Sequence, residues 1–130
     1  MTIATHTAAG ALGTPFTLPG GATIKNRLVK ASMSEQLASP AGAPTEALER
    51  LYDRWARGGA GLLITGNVMI DQRSLGEPRN VVVEDERDIA ALRRWAAAAK
   101  AHDAAAIVQI NHPGRQSRSE ERRVGKECRL

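Results

Sequence analysis

Aromatic residues are scarce: one phenylalanine, one tyrosine and two tryptophans in 130 residues. Proteins that hold single-stranded nucleic acid stack its bases on aromatic rings, so no nucleic-acid partner is expected. Cysteine is nearly absent. Cys128 stands alone, which excludes an internal disulfide and a cysteine-based zinc site and points to a reducing, cytoplasmic setting. His6, His102 and His112 are too scattered for a recognised ligand spacing, so no metal is expected. No stretch approaches the roughly 18 uninterrupted apolar residues of a membrane span. Met1–Gly13 has neither the basic start nor the apolar centre of a secretion signal. The dinucleotide fingerprint G-x-G-x-x-G and the P-loop are also missing.

What is present is enough apolar residue, 42%, to build a core. The formal charge is 18 − 14 = +4. It is unevenly placed: residues 118–130 hold five of the 18 cationic residues, three of the 14 acidic ones and the cysteine. Composition turns abruptly at Arg118 from Ala/Leu/Val-rich to almost wholly polar. The run RSEERRVGKEC reads codon by codon as the translation of a common sequencing adapter. The expected organisation is therefore residues 1–117 as protein sequence proper and 118–130 as an adapter-derived tail, set aside from fold reasoning.

The first dozen residues are small and polar and read as a loose lead-in. Pro15–Leu18 and Thr23-Ile24 flank Pro19-Gly20-Gly21, which predicts a short hairpin. Leu28–Ala31 reads as a first strand, followed by a loop over Ser32–Pro44. Thr45 is a candidate cap for a helix whose apolar stripe is Leu48, Leu51, Tyr52 and Trp55, stopped by Gly58-Gly59. Gly61–Thr65 predicts a strand buried on both faces. A long loop from Asn67 to Glu84 follows, with Val81–Val83 as an extra strand within it. A second helix is predicted from about Glu86 to His102, striped by Ile89, Leu92, Trp95, Ala96 and Ala99. Its acidic start and basic end, His102 included, suit the helix dipole. Ala106–Ile110 is a third strand running into His112-Pro113-Gly114-Arg115.

This β-α-β-α-β order argues for parallel strands with helical crossovers. Two architectures satisfy it: an open doubly wound sheet, and the opening third of a (β/α)8 barrel. In either, ligands sit at the carboxyl ends of the strands. Ser32–Glu35, Gly66–Met69 and Gln109 with His112–Arg115 lie there. Their mixture of Met, Ser, Asn and Gln suits a flat polar heterocycle with an apolar face.

Three stretches, PFTLPGGATIKNRLVKASMSE, YDRWARGGAGLLITGNVMID and AIVQINHPGRQS, in this order and spacing, resemble the Old Yellow Enzyme family. The resemblance covers about residues 14–117 and is specific. It implies the N-terminal portion, about three βα units, of an FMN-binding (β/α)8 barrel whose floor the hairpin closes. Ala31, Ser32 and Met33 match the segment whose backbone lies against the flavin, Ser32 standing where many members have proline. Ser34 matches a threonine or cysteine that hydrogen-bonds near flavin O4 and N5. Asn67 falls on a position that is usually small. Gln109 matches the glutamine that pairs with the pyrimidine edge of the flavin, for which an amide offers both donor and acceptor. His112 and Arg115 are expected to shape the pocket or anchor the loop.

The resemblance implies an FMN-dependent oxidoreductase, reduced by NADH or NADPH, that reduces activated C=C bonds of small molecules by hydride transfer. The family's substrate-carbonyl pair and tyrosine proton donor fall beyond the third strand, so no catalytic residue is assigned here and the chain alone is expected to be inactive. No membrane partner is expected, and the full-length enzyme has room to be a homo-oligomer. Two alternatives stand beside this reading: a dienoyl-CoA-reductase-like enzyme with FMN and an iron–sulfur domain, and a non-catalytic α/β binding module with a basic tail.

Overall fold

The computed structural model describes residues 8–114. His6, Arg115 and the tail from Arg118, Cys128 included, lie outside the described residues. A short helix, α1 (Ala8–Leu12), occupies part of the segment expected to be a loose lead-in. The hairpin forms as predicted. Strands β1 (Phe16–Thr17) and β2 (Thr23–Ile24) pair antiparallel, Phe16 opposite Ile24. Gly21, with φ +88°, makes the turn and donates its N–H to the Leu18 carbonyl at 2.8 Å.

The rest is a parallel α/β unit. Its strands are β3 (Val29–Lys30), β4 (Leu62–Met69), β5 (Val81–Val82) and β6 (Ala105–Asn111). All pair parallel with β4, the central strand. β6 runs along one edge of it. On the other edge β3 pairs with Leu62 and Leu63, and β5 with Val68 and Met69. The gap between β3 and β5 is where residues 31–35 pass.

Helices α2 (Glu46–Arg57) and α3 (Ile89–Ala99) pack together on one face of the sheet. The α2 stripe buries Leu48, Tyr52 and Ala56, with Leu51 and Trp55 partly covered. Tyr52 stands edge-on to Trp55 and Trp95, with ring centroids 5.0 and 5.2 Å away. Leu63, Val68, Trp95 and Ala99 complete the core. Apolar burial of this kind contributes about 25 cal/mol per Å2. Among the described residues no helix is long and apolar enough to cross a membrane.

Several boundaries move from their predicted places. Thr45 precedes α2, but its hydroxyl donates to the Leu37 carbonyl at 2.6 Å instead of capping the helix, so it anchors the preceding loop. At the helix end it is Gly59, with φ +97°, that takes the left-handed conformation; Gly58 stays helical. β4 runs four residues past Thr65. α3 starts at Ile89, because Asp85 receives the backbone N–H and guanidinium of Arg87 and folds that segment into a local turn. His102 lies beyond α3 in a 3-10 turn (Ala101–Asp103) and places Nε2 3.3 Å from Asp53 Oδ1 of α2.

Candidate functional site

The register between β4 and β6 slips by one residue between Ile64 and Asn67. This is a β-bulge, and it changes which side chains face the helices. Leu63, before it, and Val68, after it, both enter the core under the helices. Asn67 therefore turns to the opposite face, which it shares with Gln109 and Asn111 of β6. Gln109 Nε2 donates to Asn67 Oδ1 at 2.6 Å. The Gln109 backbone N–H donates to Thr65 Oγ1 at 2.9 Å, which fastens β6 across the bulge.

Residues 31–35 fill the gap on the other edge of β4. Ser32 Oγ donates to the Thr65 carbonyl at 2.7 Å. Gly66 makes this close passage possible: a Cβ there would overlap the Met33 carbonyl and the Glu35 carboxylate. Met33 and Ala31 remain exposed, Met33 at 51%. Ser34 is half-buried and accepts a hydrogen bond from Asn80 Nδ2 at 3.0 Å. The structure thus brings Ala31–Ser34, Asn67 and Gln109 to the carboxyl ends of the strands. His112 is exposed, and its Nδ1 accepts the Gly114 N–H at 3.0 Å within its own turn.

Two features were not singled out from the sequence. One is Asn80, at the end of the 70–80 loop. The amides of Asn67, Asn80 and Asn111 converge around Gly76 of that loop, each within 4 Å of where a Cβ would stand. The other is a buried polar cluster behind residues 31–35. Lys30 Nζ donates to the Ile64 carbonyl at 2.9 Å, lies 3.4 Å from Glu35 Oε1 and stands 4.4 Å from the Trp55 ring centre. The Tyr52 hydroxyl donates to Glu35 Oε1 at 2.5 Å, and the Gly66 N–H reaches both oxygens at 3.2 Å. Burial lowers the Lys30 ammonium pKa from its ordinary value, opposed in part by the Glu35 carboxylate. Burial and the same carboxylate raise that of the Tyr52 phenol. The signal for this cluster was a lysine in an otherwise apolar strand, since a buried charge demands a partner.

The donor set fits the polar edge of a flavin ring. Primary amides present a donor and an acceptor side by side, and a hydroxyl adds a third group of either sense. Met33 supplies an exposed apolar surface beside them.

Solved structures define the class. An Old Yellow Enzyme homologue from Zymomonas mobilis aligns with a TM-score of 0.70 at 26% identity, over 78% of this chain and 28% of that one. A 2-naphthoyl-CoA reductase aligns with a TM-score of 0.77 at 26% identity, over 85% of this chain and 17% of that one. The fold is the opening portion of an Old Yellow Enzyme-type (β/α)8 barrel. The profile of the NADH:flavin oxidoreductase / NADH oxidase family matches residues 11–129. The NADH-dependent flavin oxidoreductase iliE of Hypocrea jecorina is 44% identical over 106 residues, 78% of this chain and 26% of the relative. The chain belongs to the NADH:flavin oxidoreductase / NADH oxidase family. It spans about a quarter of the length of that relative. FMN and NAD(P)H are the cofactors that family membership implies.

Proposed function

We propose that the full-length protein is an FMN-dependent NAD(P)H oxidoreductase that reduces activated C=C bonds of small molecules, and that Ala31, Ser32, Met33, Ser34, Asn67 and Gln109 hold its flavin. Bound FMN would supply hydride transfer between the nicotinamide and the substrate. The chain's own residues bind and orient. The observation that carries the reading is the Asn67–Gln109 amide pair, turned away from the helices by the β4 bulge. An amide pair with unused donor and acceptor capacity recognises the alternating polar edge of a pyrimidine ring. The backbone of 31–33 offers a surface for the ring face. Ser32 contributes through its backbone, because its hydroxyl is held by Thr65.

The test is Gln109→Leu in the full-length enzyme. It removes hydrogen bonds to a buried ring edge, which costs about 1–3 kcal/mol. FMN should then bind roughly 5- to 150-fold more weakly by titration. Unchanged affinity would remove Gln109 from the site. A second reading, an enzyme of the dienoyl-CoA-reductase type with an added iron–sulfur domain, is favoured by the alignment to the longer 2-naphthoyl-CoA reductase. Iron and sulfide analysis of the same preparation separates the two.

A further inference from the structure

We propose that Asn80 is a positioning residue for the flavin: its side-chain amide makes Ser34 Oγ an acceptor, so that the Ser34 hydroxyl proton is left to point into the cofactor site. The inference rests on the reading above that Ser34 faces FMN.

The polarity is settled by one backbone group. The Glu77 N–H can only donate, and it lies 2.8 Å from Asn80 Oδ1. The other end of the amide, Nδ2, must therefore be the group 3.0 Å from Ser34 Oγ. Nδ2 can only donate, so Ser34 accepts. A serine hydroxyl has one proton, and this contact does not use it. Among the described residues that proton has no acceptor in the protein. It is thus available to the polar edge of a bound ring.

Asn80 is well placed to impose this. It is buried, 3% exposed, immediately before β5. Its neighbour Arg79 holds a left-handed backbone, φ +58°, a conformation that costs a non-glycine residue energy and persists where the surroundings enforce it. Ala38 supplies that constraint: Arg79 Nε donates to the Ala38 carbonyl at 2.7 Å, and the Ala38 N–H donates to the Arg79 carbonyl at 3.1 Å. The residue before the amide is therefore clamped twice, through its side chain and its carbonyl. Without Asn80 the hydroxyl is a free rotor, with its donor direction shared among acceptors. With it, one lone pair is occupied and the proton is confined to the remaining directions.

A donor aimed at flavin O4 or N5 favours the electron-rich reduced ring over the oxidised one. The experiment therefore reads the flavin midpoint potential of the full-length holoenzyme, by equilibration with a reference dye, alongside FMN affinity and the visible spectrum. Ser34→Ala should lower the reduced-to-oxidised ratio at a fixed potential roughly tenfold, about 30 mV for a two-electron couple. Asn80→Ala should lower it in the same direction by roughly threefold. The double variant should match Ser34→Ala alone, because Asn80 acts only through that hydroxyl. Asn80→Asp keeps the bond from Glu77 but offers Ser34 an acceptor, which captures its proton. This near-isosteric change serves where Asn80→Ala does not fold. Its effect on the potential should be larger with Ser34 present than in the Ser34→Ala background.

If Ser34→Ala lowers the potential and the Asn80 variants do not, Asn80 has no positioning role and the reading of Ser34 stands. Asn80 effects of equal size with and without Ser34 overturn the inference in the same way. If Ser34→Ala itself leaves the potential of bound FMN unchanged, the site reading at Ser34 fails and the inference falls with it.

Discussion

Lys30 and Tyr52 share one carboxylate and titrate in opposite senses. Burial holds the Tyr52 proton beyond the ordinary tyrosine range, and the Glu35 carboxylate adds to the effect. In the unfolded chain the phenol ionises near pH 10. Above that pH the folded chain binds the extra proton, so stability falls as pH rises. Lys30 works the other way. Its lowered folded value means that the unfolded chain binds more proton up to about pH 10.5, and stability rises through that window. Beyond it the Lys30 contribution is complete and the Tyr52 slope is left. Between about pH 10.5 and pH 12 the full-length protein should lose stability more steeply than its Tyr52→Phe variant. Urea unfolding midpoints at the two ends of the range measure this; parallel slopes would show that the phenol is not held.

Strand β4 runs between the other two parts of the candidate site, residues 31–34 and β6, and its bulge turns Asn67 to their side. Eight residues of one strand supply core side chains, Leu63 and Val68, and a site side chain, Asn67, only because the alternation slips at Thr65-Gly66. A strictly alternating strand would have put Asn67 on the same face as Leu63, under the helices. Gly66 has a second duty at that point, since residues 33–35 press against it. Gly66→Ala should push that segment off β4. The expected result is a loss of about 1–3 kcal/mol of stability, as for other overpacked sites, with weaker FMN retention. Differential scanning calorimetry with flavin quantitation checks it, and a variant that keeps both its melting temperature and its FMN would mean that the segment yields freely.

Taken together, the described residues leave one flank of the sheet uncovered. Ile107, Val108 and Ile110 of β6 are 46%, 52% and 71% exposed. An apolar groove of about 500 Å3 opens beside Val108 and Ile110, lined also by Leu92, Trp95 and Ala96 among others. Contiguous apolar surface next to an unpaired strand edge invites association. In the Hypocrea jecorina relative the matched region is about a quarter of a longer chain. The segment 8–114 produced alone should therefore self-associate and bind a hydrophobic dye. The full-length protein should bind no dye and form no open-ended series of aggregates. Sedimentation velocity at several concentrations distinguishes them, and a monomeric, dye-free segment would show that the flank is tolerated in water.

Local pattern alone was enough for the hairpin, the parallel β-α-β-α-β order and the stripe of α2. Each depends on short-range physics: turn residues, apolar periodicity and glycine stops. The same holds for the placing of Ser34, Asn67 and Gln109 at strand ends, where three motifs carried the family resemblance. The helix start moved because Asp85 and Arg87 make a local turn that competes with the helix. Other features had no local signature. Asn67 reads as the start of a long loop, yet Gly66–Met69 continues the strand, and Gly66 lacks a side chain where a neighbouring segment approaches closely. Lys30 meets Tyr52 and Glu35 only when α2 folds back over the sheet. Asn80 reaches Ser34 across 46 residues of chain. Which face a side chain takes and which distant partner it meets depend on strand register and loop closure, and those were decided by the tertiary structure.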